Sequence, residues 1–332
     1  MPPWLVFLLS SAAVILAGAR LSRDGTSIAN RTGLGGAWVG AVLVAGVTSL
    51  PELTTDTFAV LQGTPSLAVG NLFGSAMANM LVLAVADLAT HQGLVLTRVS
   101  INQSLIATLA ITLTATAAAG MLASGTATVA WIGWAPLAIA LGYAAGMRAL
   151  YRNRAEPPFE TVDEAAAAAQ RAPSLQLALT GFVLATLVTV VAARFLASST
   201  ADVAAQLGLS AGLAGVALLA LTTSLPDLVV SVTSVRAGAY DLAVGNLLGS
   251  NCFNIAILVA LDVADGPGPL LASIEPSVLL AALFALLMMA QALLEILNRA
   301  ERRVWYLQPG TLLLIVTYAV GLYLIAQASP FH

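Results

Sequence analysis

The chain contains no lysine: its 13 basic residues, in a total of 332, are all arginine. Charged residues make up only 9% of it, against about 25% in a soluble domain. That deficit excludes an ordinary soluble protein. The net charge of -3 at pH 7 leaves no basic face for nucleic acid. A single cysteine, Cys252, excludes an intramolecular disulfide framework; placed in an apolar run, it reads as a small buried thiol. The two histidines, His91 and His332, lie in a connector and at the C-terminal end, too far from the motifs below to serve as ligands. The first residues lack the positive region that opens a signal peptide, so Ala17-Gly18-Ala19 is read as part of a first transmembrane helix and not as a cleavage site.

What fills the chain is apolar: 59% hydrophobic residues and a mean hydropathy of +0.93. Stretches near 20 residues long predict an all-α polytopic membrane protein with ten transmembrane helices. They are Pro3–Ala19, Gly33–Leu61, Ser66–Ala86, Ser100–Leu122, Ala127–Met147, Leu175–Leu196, Leu209–Val235, Leu242–Leu261, Pro276–Leu297 and Tyr306–Gln327. The second and seventh are long and hold an internal proline, so they are expected to be broken or strongly tilted. The polar connector Arg148–Ser174 divides the chain into a first five-span half (1–150), a cytoplasmic linker (151–174) and a second five-span half (175–332). With the N-terminus outside, every arginine except Arg194 falls in an inside connector, a strong positive-inside bias that also places the C-terminus outside. Trp4, Trp131, Trp134 and Trp305 lie near span ends, as interfacial anchors do.

The chain also repeats itself. Residues 45–88 align without a gap to 220–263 at an offset of 175, with 19 of 44 positions identical. An odd number of spans separates the copies, so they are inverted. Inverted repeats with broken helices near mid-membrane are the architecture of many secondary transporters. Each copy carries an acid directly after a proline: Thr48-Ser49-Leu50-Pro51-Glu52 and Thr223-Ser224-Leu225-Pro226-Asp227. Pro51 and Pro226 have no N–H to give, which frees the carbonyls of Val47 and Thr222. Such backbone survives in a bilayer only where it lines a cavity or is buried in protein. Freed carbonyls, hydroxyls and a carboxylate are the ligand types of a hard cation such as Na⁺ or Ca²⁺. An ionisable residue within a span marks function by default.

The second part of each copy supplies Gly70-Asn71…Gly74-Ser75…Asn79 and Gly245-Asn246…Gly249-Ser250…Asn254. Ser75 and Asn79 share one helix face, as do Ser250 and Asn254. The glycine pairs 70/74 and 245/249 allow close helix approach. Together the copies predict a four-helix cage at mid-depth. Asp56, one turn beyond Glu52 and matched by Ser231, either guides ions toward the site or faces a wet vestibule. Asp87 and Asp262 match at the ends of spans three and eight and read as interfacial caps.

On these motifs the two segments resemble the α-repeats of the sodium/calcium exchanger family, within the calcium/cation antiporter superfamily. The resemblance implies ten helices in two inverted five-helix repeats, a central site built by spans two, three, seven and eight, and alternating access in which spans one and six slide past that core. Spans one and six as bounded above have no charge in their apolar interiors, which suits sliding. Carried over residue by residue, it implies as cation ligands Glu52, Asp227, Thr48, Ser49, Thr223, Ser224, Ser75, Asn79, Ser250 and Asn254, with backbone carbonyls near Ala45 and Ala220. The chain departs from the family at Asp227, usually Glu; at Asn254, often Asp; and at Ala76, usually Asn as in Asn251. Gly74 and Gly249 stand where the calcium/proton branch has Glu, which argues against that branch.

The resulting expectation is a Na⁺/Ca²⁺ antiporter in the cell inner (plasma) membrane, in which one Ca²⁺ or several Na⁺ neutralise the two carboxylates. Protons are expected to compete. Neither enzymatic chemistry nor a cofactor is expected, because Ca²⁺ and Na⁺ bind as transported substrates. No nucleic acid and no obligatory protein partner are expected, only the lipid bilayer. The alternatives are the same fold with another ion pair (Ca²⁺/H⁺, Na⁺ or K⁺ against H⁺, another divalent cation) and, remotely, an intramembrane aspartyl protease using Asp227 with Tyr240-Asp241.

Overall fold

The computed structural model describes residues 2–88, 95–123, 128–129, 131–153, 173–206, 220–298 and 309–328. Within them the chain is almost wholly helical. In order come α1 (Pro3–Thr32), α2 (Gly36–Thr48), α3 (Leu50–Leu61), α4 (Pro65–Leu88), α5 (Asn102–Leu122) and α6 (Trp134–Arg152). The second half gives α7 (Leu175–Gln206), α8 (Ala220–Thr223), α9 (Leu225–Arg236), α10 (Tyr240–Asp265), α11 (Pro276–Asn298) and α12 (Pro309–Ala328). A two-stranded antiparallel hairpin, Thr128–Val129 against Ile132–Gly133, precedes α6.

Seven of the described helices are long and apolar enough to cross a membrane, and the pair α2/α3, bent by 42°, makes an eighth crossing if counted as one span. The bend falls at Ser49, the residue between the two helices, whose backbone leaves the helical region (φ -93°, ψ 1°). Pro51 then occupies the second position of α3, where a missing N–H costs no helical hydrogen bond. The second copy repeats this at Ser224 (φ -78°, ψ 0°), with Pro226 early in α9. Residues 209–219 of the expected seventh span lie outside the described residues, as do 154–172 of the linker, His91, His332 and Trp305.

The largest departures from the expected boundaries are in spans one and six. The first helix does not stop at Ala19 but runs 30 residues to Thr32. The sixth runs 32 residues to Gln206 instead of stopping at Leu196. At ~1.5 Å per residue both exceed 40 Å, more than the ~30 Å hydrocarbon layer. Arg20, Arg23 and Arg31 therefore lie on α1 rather than in a connector. Arg20 Nε bonds the carboxylate of buried Asp24 one turn on, at 2.7 Å. Span one as bounded, Pro3–Ala19, holds no charge; the charges lie on the part of α1 beyond it, where an i, i+4 pair of opposite sign lets the helix continue.

Helices α4 and α10 form the centre: 78% and 67% of their most apolar windows are buried, against 33% and 28% for α1 and α7. Leu72, Phe73, Met77 and Met80 of α4 join Leu247, Leu248, Ile255 and Leu258 of α10 in one core that extends into α5, α6, α11 and α12. Helices α1 and α7 lie along each other on the opposite side. They meet the centre through two smaller apolar clusters, one around Leu21, Val44, Phe182 and Val230, the other around Val14 and Leu196. Their outer faces, with Leu8, Leu16, Leu184 and Leu187 exposed, fit a lipid environment.

Close backbone contact joins the repeats. A Cβ on Gly245 would lie 2.8 Å from the carbonyl oxygen of Ala37, and one on Gly249 would collide with the backbone of Ala41. This brings α2 of the first copy directly onto α10 of the second. Residues Val39–Val44 of α2 form a π-helical stretch at this contact, a local widening that is frequent at functional sites. The packing expected of the other glycine pair is looser: a Cβ on Gly70 would meet only Val278, at 3.8 Å, and Gly74 is half-buried.

Candidate cation site

The helix breaks and the α2–α10 contact gather the polar residues of both repeats inside the protein. Thr48, Ser49, Glu52, Ser75 and Asn79 are buried, as are Thr223, Ser224, Asp227, Ser250 and Asn254. Among the described residues, 14 buried side-chain N or O atoms have no hydrogen-bond partner, and 11 of these belong to the two repeats. They are Ser49 Oγ, both oxygens of Glu52, Asp56 Oδ2, Asn71 Oδ1, Ser75 Oγ, Asn79 Oδ1, Ser224 Oγ, Asp227 Oδ2 and both amide atoms of Asn254. Each such atom costs about 1–3 kcal/mol when left bare. Nearly all are oxygens, the donor set of a hard cation.

The repeats meet through side chains as well as backbone. Thr48 Oγ1 reaches across to Asn246 Oδ1 at 3.2 Å and Ser250 Oγ at 3.3 Å, and its single proton also has the carbonyls of Val44 and Ala45 within reach. Ala45 O accepts from Ser49 N–H as well. Asn79 Nδ2 donates to Asn251 Oδ1 at 3.0 Å, and Asn251 Nδ2 reaches back to the carbonyl of Ala76 at 3.4 Å. The carboxylates of Asp227 and Asp56 and the Thr223 side chain lie close enough to act electrostatically on Glu52.

The acids are held unequally. Asp227 Oδ1 accepts from Asn246 Nδ2 at 2.9 Å and Ser250 Oγ at 3.0 Å. Asn246 also reaches Ser231 Oγ at 3.3 Å. In the first copy the matching Asn71 Nδ2 donates to Asp56 Oδ1 at 2.9 Å, and Glu52 keeps neither donor. Asp56 is 1% exposed, so it does not face the wet vestibule considered for it. Asn71 and Asn246 are not among the ligands that the family resemblance implies. The signal that finds them is spacing: Asn71, Ser75 and Asn79 recur every four residues, as do Asn246, Ser250 and Asn254, so each trio forms one helix face.

The remaining acids are tied to the frame. Asp87 accepts from Val95 N–H and the Thr311 hydroxyl at 2.9 and 2.6 Å. Asp262 takes the N–H groups of Gly133 and Leu270, each at 2.8 Å. Each ties neighbouring segments to the C-terminal end of a central helix. Asp241, the acid of the protease alternative, is held in the first turn of α10 by Ser100 and Gln103. It shares none of these partners with Asp227. Cys252 is buried, with its Sγ 3.6 Å from the Ile106 carbonyl.

Two copies of a broken-helix repeat, closed around buried acids, hydroxyls and amides, define a polytopic membrane protein of the secondary-transporter class. The sequence profile of the sodium/calcium exchanger protein family matches residues 2–151 and 177–327. The chain belongs to that family. It is 29% identical over 311 residues, 90% of this chain and 91% of the relative, to CaxA of Alkalimonas amylolytica, which bears the name of an antiporter. It is 30% identical over 259 residues, 75% of this chain and 77% of the relative, to the inner membrane protein YrbG of Escherichia coli strain K12. The structure of the sodium–calcium exchanger NCX_Mj soaked with 10 mM Na⁺ and zero Ca²⁺ matches with a TM-score of 0.72, over 98% of each chain at 22% identity. At that identity the likeness speaks to the fold.

Proposed function

We propose that this protein is a secondary antiporter that exchanges Na⁺ for Ca²⁺ across the cell inner (plasma) membrane by alternating access. The observation that carries the reading is that 11 buried polar atoms of the two repeats, oxygens of Glu52 and Asp227 among them, have no hydrogen-bond partner. In this reading Glu52 and Asp227 supply the charge. Thr48, Ser49, Thr223, Ser224, Ser75, Asn79, Ser250 and Asn254, with the backbone near Ala45 and Ala220, supply neutral oxygen.

One Ca²⁺ neutralises both acids, and Na⁺ ions replace it using hydroxyl and amide subsites. Moving two bare carboxylates through the membrane interior is costly, so the pair α1–α7 slides past the centre only when the site is neutralised. That coupling favours exchange over leak. Both termini lie outside, the linker 151–174 lies in the cytoplasm between halves 1–150 and 175–332, and protons compete for the carboxylates. The role is transport rather than catalysis.

The test is ⁴⁵Ca²⁺ uptake into proteoliposomes driven by an outward Na⁺ gradient. Uptake that collapses with the gradient is expected; gradient-independent behaviour at every pH overturns the reading. The same fold with another ion pair is the second reading. It is favoured by Asn254, an uncharged amide with both polar atoms unpartnered where family members often carry an acid. Flux driven by a pH gradient with no Na⁺ present would select it.

A further inference from the structure

We propose that Asp56 is the anionic ligand of a second cation subsite, beside Glu52, that takes a monovalent cation of the Na⁺ class. The proposal deepens the antiport reading and rests on it. Asp56 stands one helical turn from Glu52 on α3 and is 1% exposed. Asn71 holds its Oδ1, but Asp56 Oδ2 and Asn71 Oδ1 have no partner. The orientation of Asn71 follows from the acid: its NH₂ must face the carboxylate, which turns its oxygen elsewhere. A charged oxygen of Asp56 and the amide oxygen of Asn71 are thus both buried and both without a hydrogen-bond partner.

The second repeat shows that the fold does not need this acid. At the matching position Ser231 accepts from Asn246 and itself donates to the Ala243 carbonyl at 3.3 Å. At that position a neutral hydroxyl is satisfied on both sides, as acceptor and as donor. Replacing this serine by an acid opens that arrangement and adds a charge, which is costly at this depth unless a cation answers it.

Nor does Asp56 complete one cage with Glu52 and Asp227. Among the described residues no three His, Cys, Asp or Glu side chains converge tightly enough to hold one metal ion. A subsite with one carboxylate and one amide oxygen matches a single positive charge. A divalent ion there would draw Glu52 away from Asp227 and dismantle the central site.

The experiment uses the full-length protein with Asp56→Ser, which copies the second repeat, and Asp56→Asn, which keeps the shape without the charge. Two quantities are read: ²²Na⁺ bound per molecule at equilibrium in detergent, and the Na⁺ dependence of ⁴⁵Ca²⁺ flux in proteoliposomes. Both variants are expected to bind ⁴⁵Ca²⁺ as the native chain does, and to bind one fewer ²²Na⁺. Their Hill coefficient for Na⁺ falls by about one, as loss of one coupled ion requires. Unchanged Na⁺ stoichiometry in either variant overturns the proposal. So does loss of ⁴⁵Ca²⁺ binding as complete as in Glu52→Gln, which would place Asp56 in the central site. If the native protein shows no Na⁺-driven Ca²⁺ flux, the antiport reading fails, and the count of bound ²²Na⁺ still decides the subsite.

Discussion

In the second repeat Asn246 and Ser250 both point their donors at Asp227, and Ser231 completes the network. In the first, Asn71 turns to Asp56, and Glu52 is left with two bare oxygens. The residue types at matched positions are nearly the same, and two changes bear on the acids: acid for serine at position 56, and Glu52 in place of Asp227, one methylene longer. The acid at 56 gives Asn71 a second charged acceptor where Asn246 has only a neutral hydroxyl. The lesson is that a duplicated motif does not give a duplicated site. One copy holds its acid in a fixed frame, and the other presents its acid to whatever cation arrives.

The sharpest break of this comparison is to neutralise each acid in turn. Glu52→Gln and Asp227→Asn are each expected to lower Ca²⁺ flux by about 100-fold or more, equivalent to losing about 3 kcal/mol of ligand binding. The two variants should part on stability. Glu52→Gln removes a buried charge that lacks the amide and serine donors holding Asp227, so the ion-free protein gains heat resistance, by roughly 2–4 °C for each kcal/mol regained. Asp227→Asn still offers an oxygen to Asn246 and Ser250 and gains less. Thermal unfolding in detergent with chelator measures both, and equal shifts would show that the acids are held alike.

The glycines extend the comparison from side chains to backbone. Gly249→Ala drives a methyl into the backbone of Ala41. Overpacking of that kind costs about 1–3 kcal/mol and separates α2 from α10, so folded yield and transport should both fall. Gly70→Ala meets ordinary contact and should be neutral, or stabilising by about 0.5–1 kcal/mol through its helix propensity. Equal losses in the two variants, measured by thermal unfolding, would contradict the asymmetry. A third change makes the copies alike: Asn251→Ala gives the second repeat the residue of Ala76 and frees Asn79. Losing that single clamp, worth about 1 kcal/mol, should weaken apparent Ca²⁺ affinity about fivefold, read from the ⁴⁵Ca²⁺ saturation curve.

Much of this was legible in the sequence, for physical reasons. The breaks at Ser49 and Ser224 follow from proline chemistry, which acts locally. The pairing of repeats follows from identities at a constant offset. Three things were not legible. The end of α1 was not legible because charges usually mark a membrane edge, and the Arg20–Asp24 pair lets the helix run on past it. The roles of Asn71 and Asn246 were hidden because a Gly-Asn pair reads equally well as packing; only the four-residue recurrence separates them. The choice of Asn71 between Glu52 and Asp56 depends on which carboxylate the α3–α4 packing brings within reach, and no spacing rule encodes that distance.

The matched caps Asp87 and Asp262 give the smallest and most specific test. Asp262 receives two backbone N–H groups, from the hairpin and from the turn at Leu270. A backbone N–H can only donate. In Asp262→Asn one oxygen becomes an NH₂ that faces another donor, and one of the two loop ties is lost. Among the described residues Asp87 receives the Val95 N–H and the Thr311 hydroxyl. A hydroxyl can turn and accept, so at that contact the new NH₂ of Asp87→Asn keeps a partner. The expected cost is about 1–2 kcal/mol at Asp262 and smaller at Asp87. Neither should move the Ca²⁺ concentration that half-saturates transport. A shift in that concentration for either variant would place a cap in the ion path; a larger loss at Asp87 than at Asp262 would mean that the hydroxyl cannot turn.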